Sequence, residues 1–268
     1  MVRILRQSAG QVIHRMLSLR PLPAFQDNYI WTLANADGQA IVVDPGQAGP
    51  VLEAASQGLK PVAIFLTHHH DDHIGGAAEL LSRFDIPCHA PVDERIALAA
   101  TRVGQGDHVR VPELGLDFAV LEVHGHTRSH IAFHGGAYLF CGDSLFSLGC
   151  GRMFEGQPEQ MLASLDRMAA LPGETLVCCG HEYTEANGRF ARVAEPDNPE
   201  RDRRLEEVAA LRAQGLPSVP STMASERACN PFLRVDQPGV LVQLRDRGLQ
   251  GGSRADAFAA LRGWKDRF

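Results

Sequence analysis

Thr67-His68-His69-His70-Asp71-Asp72-His73-Ile74-Gly75-Gly76 is the stretch that decides how this chain is read. Just upstream, Val62-Ala63-Ile64-Phe65-Leu66 is a short apolar run rich in strand formers, bounded by Gly58 and Pro61. It predicts a buried strand that ends where the histidines begin. Residues i and i+2 of an extended segment share a face, so His68 and His70 can converge while His69 faces away. Asp72 and His73 follow as Gly75-Gly76 and Ala77-Ala78-Glu79-Leu80-Leu81 start a helix. Imidazoles and one carboxylate suit zinc and other borderline divalent metals. Four such groups, paired two and two, exceed what one tetrahedral ion needs from one loop. The spacing points to two neighbouring ions, with His68 and His70 on one and Asp72 and His73 on the other. A solvated polar loop or an adventitious nickel-binding run is the bland alternative, and the flanking buried strand and glycine-led helix argue against it.

Further along, the pattern repeats. Phe118–Val123 is a predicted strand running into His124-Gly125-His126-Thr127. The run 137–141 ends at Gly142-Asp143, and 175–179 ends at Gly180-His181. Strand ends can bring such side chains together at one edge of a sheet, and rigid scaffolds tend to carry function on loops. A lone strand-end histidine is more often structural; together with the 67–76 loop, His126, Asp143 and His181 complete a set. Elsewhere, Tyr29–Leu33 and Ala40–Val43 around Asn35-Ala36-Asp37-Gly38 read as a hairpin. Residues 50–57, 77–84 and 93–101 read as helical and 86–90 as a strand. Beyond His181, residues 182–213 and about 254–262 read as helices of a small α-helical region.

The bulk numbers are those of an ordinary globular chain: 44% apolar and 22% charged residues in 268. A net charge of −6 argues against a general nucleic-acid or acidic-membrane binder. Apolar runs fall far short of the ~20 residues of a membrane span. Six scattered cysteines (88, 141, 150, 178, 179, 229), with no CxxC, favour reduced buried thiols and a cytoplasmic compartment. Residues 1–15, with three arginines and no acid, are expected to be a peripheral extension.

The set Thr67-His68-x-His70-x-Asp72-His73, Gly125-His126-Thr127, Gly142-Asp143-Ser144-Leu145-Phe146 and Gly180-His181-Glu182-Tyr183-Thr184 resembles the metallo-β-lactamase superfamily of binuclear hydrolases. Within it, Asp27-Asn28-Tyr29, Gly149–Gly156, Cys179–Thr184, Asn230-Pro231-Phe232-Leu233-Arg234 and the Arg262…Lys265-Asp266 end are similar to the glyoxalase II (hydroxyacylglutathione hydrolase) family, over about Met16 to Phe268. The resemblance implies an α/β fold, a four-layered αββα sandwich over 16–181, followed by a small helical substrate-binding domain over 182–268. It implies one ion on His68, His70 and His126, a second on Asp72, His73 and His181, and Asp143 with a water-derived hydroxide bridging them. Zinc is the first expectation for both ions, with iron or manganese as alternatives. Asp72 and Asp143 are the implied catalytic carboxylates; Arg152, Tyr183, Arg262 and Lys265 are the implied glutathione contacts. The implied reaction cleaves S-(2-hydroxyacyl)glutathione, notably S-lactoylglutathione, to glutathione and D-lactate. This is the second step of methylglyoxal detoxification, carried out by a monomer. His124 stands near His126, and the register with Thr127 selects His126.

That chemistry suits the residues. A thioester carbonyl needs a nucleophile at neutral pH, help for the oxyanion and a leaving thiolate, and two metals can supply all three. There is no GxSxG, and the cysteines lie in or beside apolar strands. The competing reading is a glutathione persulfide dioxygenase of the same superfamily, with one iron. A β-lactamase is weaker, because none of the seven ligand positions carries cysteine. A closed structural zinc site is weakest, because such sites satisfy every position with protein ligands.

Overall fold

The computed structural model describes residues 17–268; the expected extension over residues 1–15 lies outside them. Two six-stranded sheets face each other. The first contains β1 (Ser18–Ala24), β2 (Asn28–Ala34), β3 (Gln39–Val43), β4 (Lys60–Phe65), β5 (Cys88–Pro91) and β6 (Thr101–Val103), in that order. Strands β1 to β3 run antiparallel, and β4 to β6 are added in parallel. The expected hairpin joins β2 and β3, where the Asn35 side chain accepts from the amides of Asp37 (2.9 Å) and Gln39 (3.0 Å). Parallel pairing needs a crossover, and α1 (Gly49–Ser56) supplies it between β3 and β4.

The second sheet contains β7 (His108–Val111), β8 (Leu116–Glu122), β9 (Ile131–Gly135) and β10 (Tyr138–Gly142). A two-stranded ribbon, β11 (Leu145–Phe146) and β12 (Gly149–Cys150), follows. Then come β13 (Leu176–Cys179), parallel to β10, and β14 (Ser221–Thr222) on its far edge, giving the order β14-β13-β10-β9-β8-β7.

Period-two patterning builds the layers. Tyr29, Trp31, Leu33, Ile41, Val43, Ala63 and Phe65 point into the core between the sheets. Their neighbours Ile30, Val42 and Ile64 point the other way, onto a second core under α1 and α3 (Ala77–Arg83). Phe65 is the hinge of the inter-sheet core, stacked on Phe133 at 4.5 Å and edge-on to Phe118 at 5.2 Å. On the far side, α4 (Pro158–Ala169) covers the second sheet; it is not among the helices expected from sequence, although Pro158 stands in its first turn.

The C-terminal helices α5 (Thr184–Ala194), α6 (Pro199–Ala213), α7 (Met223–Cys229), α8 (Pro238–Arg245) and α9 (Arg254–Asp266) pack on the same continuous core. Phe190, Phe232 and Phe258 are fully buried there. The helix expected over 93–101 does not form. The Asp93 carboxylate instead accepts from the Arg95 amide and guanidinium. The Arg102 guanidinium donates to the carbonyls of Pro91, Ile96 and Leu98, taking up the Ile96 carbonyl that a helix would have engaged.

Candidate metal centre

The candidate ligands come from both sheets, and not from one sheet edge as the strand ends alone suggest. β4 delivers the 67–76 loop from the first sheet, and the ends of β8, β10 and β13 deliver His126, Asp143 and His181 from the second. The sheets are joined at this rim by Ile131 N to Thr67 O (3.0 Å), Tyr29 N to Gly180 O (2.8 Å) and Trp31 Nε1 to Cys179 O (2.8 Å).

After Thr67 the chain bends at His68 and is extended again at His70, whose carbonyl accepts from the amides of His73 (2.9 Å) and Ile74 (3.2 Å). That turn, α2 (Asp71–Ile74), swings Asp72 and His73 back towards His68. Gly76 must be glycine: a Cβ there would lie 2.3 Å from the Gln47 backbone, which packs under the loop.

Two groups of ligand atoms result, His68/His70/His126 and Asp72/His73/His181, each with its atoms within 4.8 Å of one another. In the first, His68 Nε2 and His126 Nε2 lie 3.0 and 3.1 Å from His70 Nδ1. In the second, His73 Nε2 and His181 Nε2 are 3.3 Å apart, with Asp72 Oδ2 at 3.6 and 3.4 Å. Asp143 stands between the groups: Oδ2 is 3.5 Å from His126 Nε2 and 3.3 Å from His181 Nε2, and Oδ1 is 3.4 Å from His73 Nε2. All seven side chains named from the sequence therefore meet. A third grouping, Asp44/His68/His73, is an outer arrangement, because the Asp44 oxygens already accept from the Thr67 amide (2.8 Å) and hydroxyl (2.7 Å).

The far nitrogens of the imidazoles are held as metal-ligating histidines usually are, by carboxylates, carbonyls and hydroxyls. His73 Nδ1 is 3.1 Å from Asp44, His181 Nδ1 2.8 Å from Asp27, His126 Nδ1 2.9 Å from the Arg152 carbonyl, and His68 Nδ1 3.0 Å from the Thr67 hydroxyl. Asn28 Nδ2 donates to Asp72 Oδ2 at 2.9 Å. The Asp143 amide donates to His130 Nε2 at 3.1 Å, and the His130 ring stacks on His68. The Oδ1 of Asp143 is buried with no hydrogen-bond partner, as a carboxylate reserved for a cation would be. Asp27 and Asn28 lie in a stretch that carries the family resemblance, but it assigns them no role, and Asp44 and His130 have none either, since a single side chain does not signal a partner many residues away.

Electrostatics follow the geometry. Burial, reinforced by neighbouring imidazoles, pushes His68 and His130 well below the ordinary histidine range, lowers His126 and brings His70 to about 4. Neutral imidazole is the metal-binding form. For His73 and His181 burial also opposes the charge, but the Asp143 carboxylate, helped by Asp44 and Asp27 respectively, outweighs it and raises both. The acidic side of the cluster thus draws positive charge to the place where a cation would sit. His69 turns away towards Asp93 and Glu155. Asp71 is exposed in the first turn of α2, and His124 faces Glu122 at 3.6 Å. A groove of about 640 Å³ between Asp93, Glu122 and His124 includes none of the seven side chains.

Of the implied glutathione contacts, Tyr183 stacks on His181 at 4.7 Å with rings 6° apart. The Arg152 side chain is 69% exposed. Lys265 Nζ donates to the Ala186 carbonyl at 3.3 Å and lies over the Phe190 ring. Its pKa is lowered first by burial, then by Arg262, Arg189 and Arg152, which marks a convergence of cations. Arg262 is buried, donating to Cys150 O at 2.9 Å and to Asp266 at 3.0 Å. Arg189, exposed on α5, was not named from sequence. All six cysteines are free and buried, and burial raises their thiols, Cys150 to about 11 and Cys179 to about 12.

The family described as metallo-beta-lactamase superfamily matches residues 28–181, and that described as hydroxyacylglutathione hydrolase C-terminus matches residues 182–268. A hydroxyacylglutathione hydrolase of Xanthomonas euvesicatoria is 55% identical over 94% of this chain and 99% of its own length. One of Xylella fastidiosa is 53% identical over 94% and 98%. Among solved structures, ETHE1 from Myxococcus xanthus aligns with a TM-score of 0.61 at 25% identity, covering 93% of this chain and 98% of that one. TTHA1623 in a di-iron-bound form aligns at 0.56 and 27%, covering 81% and 100%. No helix among the described residues is long and apolar enough to cross a membrane.

Proposed function

This chain belongs to the hydroxyacylglutathione hydrolase family of the metallo-β-lactamase superfamily, and from that premise we propose how its cluster hydrolyses the thioester of S-(2-hydroxyacyl)glutathione. The observation that carries the reading is the meeting of two three-ligand groups on one buried carboxylate, Asp143. His68, His70 and His126 would hold one divalent ion, and Asp72, His73 and His181 the other, with Asp143 shared. Nitrogen-rich, borderline donors of this kind favour zinc first, with iron or manganese as alternatives. When bound, the pair supplies a water that ionises near neutrality and Lewis acidity for the thioester carbonyl oxygen.

The remaining work falls to the chain. Asp72, its Oδ2 fixed by Asn28, orients the attacking water. The Arg152 carbonyl and the Asp27 carboxylate keep His126 and His181 in the tautomers that present Nε2 inward. The glutathione thiolate is a good leaving group, with a thiol pKa of about 8.5, so no side chain has to protonate it. The raised, buried cysteines offer no competing nucleophile.

Glutathione brings two carboxylates to an acidic protein, so it needs local cations. Arg152, Lys265 and Arg189 would supply them, and Tyr183, stacked on His181, would hold the peptide next to the cluster. Arg262 acts from behind, adding charge and fixing Cys150. The substrate we assign is S-lactoylglutathione, yielding D-lactate in methylglyoxal detoxification, by a cytoplasmic monomer with reduced thiols.

The test is the loss of thioester absorbance with S-lactoylglutathione. Turnover should require added metal and collapse in His68→Ala and Asp143→Ala. Full activity after chelation and in both variants rejects the proposal, and one iron per chain with oxygen uptake transfers it to the dioxygenase reading.

A further inference from the structure

The β11–β12 hairpin leaves Asp143 and returns to Arg152, so the shared carboxylate and the carbonyl that orients His126 flank its two ends. It is held from the C-terminal helices. Leu148, at the unusual φ of +60°, donates its amide to Glu226 Oε2 at 2.9 Å. Asn230 Nδ2 donates to the carbonyls of Phe146 (3.1 Å) and Gly149 (2.9 Å) and to Glu226 Oε2 (3.0 Å). Asn187 Nδ2 donates to the Ser147 carbonyl at 3.1 Å.

All three side chains are buried, Glu226 and Asn230 completely. The hairpin in turn abuts the carboxylate's own peptide. Gly151 N donates to Ser144 O at 3.3 Å, and a Cβ on Gly151 would lie 2.0 Å from Asp143 O. Docking the helices does not require this polar cluster, because Phe190, Phe232 and Phe258 already join the common core. Burying a carboxylate, with Glu226 Oε1 left unpartnered, is costly. A turn locked in one geometry is what that cost secures.

We propose that Asn230, Glu226 and Asn187 are positioning residues of the metal centre. Through the hairpin they set Asp143 and His126, so the C-terminal helices shape the cluster as well as the glutathione surface. The inference rests on the two-ion hydrolase reading. Removing a direct outer partner of a metal ligand typically weakens metal affinity or activity about 10–100-fold, and because these residues act through the hairpin backbone the lower end, about 10-fold, is expected.

The experiment compares the full-length wild type with Asn187→Ala and Asn230→Ala. Manganese(II) is titrated in a chelator buffer, the exchange-coupled manganese signal is read by electron paramagnetic resonance, and S-lactoylglutathione kinetics are measured. Folded variants should bind manganese about 10-fold more weakly, lose the coupled signal, and show lower kcat with KM within about twofold. Wild-type manganese affinity and coupling, with only KM raised, overturns the proposal and leaves the helices as a glutathione surface alone. If Asn230→Ala does not fold, Asn187→Ala, which removes a single hydrogen bond, decides by the same titration. A wild type that binds no coupled pair, or turns over no thioester, overturns the hydrolase reading and this inference with it.

Discussion

Asp44→Asn replaces one oxygen by an amide nitrogen at a residue that orders two candidate ligands at once. Asparagine tolerates the φ of +52° found there, so the backbone can stay. In the native arrangement Oδ1 accepts from the Thr67 amide, and Oδ2 accepts from the Thr67 hydroxyl and from His73 Nδ1 at 3.1 Å. The amide of asparagine has two orientations. One sets N–H against the Thr67 N–H, donor to donor. The other turns N–H towards His73 Nδ1, which must then accept, moving its proton to Nε2.

That is the atom facing Asp143 at 3.4 Å and His181 at 3.3 Å, and a protonated Nε2 cannot bind a metal. A loss of 10–100-fold in affinity for the ion on Asp72, His73 and His181 follows, about 1.4–2.7 kcal/mol. Titration with zinc in a chelator buffer should show this loss for one of two ions, with turnover partly restored by excess zinc. Two ions bound within twofold of wild-type affinity, with wild-type kcat, would falsify the tautomer argument.

Three other outcomes follow from the same geometry. Gly180→Ala would place a methyl 2.5 Å from Asp143 Oδ1 and 2.6 Å from His73 Cε1; elemental analysis should find metal lost, and a fully loaded variant contradicts the packing. Phe65→Ala empties the centre of the inter-sheet core and should cost about 3–5 kcal/mol in urea unfolding; a cost under about 1 kcal/mol means the sheets do not depend on it. In the metal-free protein, His68, His70, His126 and His130 have lowered folded pKa values, so the unfolded chain binds more protons as pH falls from 6.5 towards 4. Stability should therefore drop across that window, and a urea midpoint flat between the two ends refutes the assignment.

Much of this site could be read from residue type at strand ends. His68, His70, Asp72 and His73 sit in one loop after an apolar run, and His126, Asp143 and His181 each follow a strand. What the sequence could not show is tertiary. Asp27 lies in a stretch that carries the family resemblance, yet nothing in that stretch shows that it reaches His181 from 154 positions away, and Asp44, which serves His73 and Thr67, sits in no such pattern. The division of ligands between two sheets depended on strand order, since periodicity reveals which face is buried and not which strands are neighbours. The stretch 93–101 reads as helical by composition, but its Ile96 and Leu98 carbonyls accept from Arg102, a residue just outside the window. Arg262, one of the implied glutathione contacts, is buried and donates to the Cys150 carbonyl, a position that its place in a charged tail does not reveal.

Because the first sheet carries the 67–76 loop and the second carries His126, Asp143 and His181, ions held at this rim act as a clasp across the sandwich. An ion that binds only the closed arrangement adds about 2.7 kcal/mol to folding when its free concentration is a hundred times its dissociation constant. Metal starvation would then act on the enzyme twice, silencing turnover and shortening its survival against heat and proteases, with Phe65 and its partners left to keep the halves together.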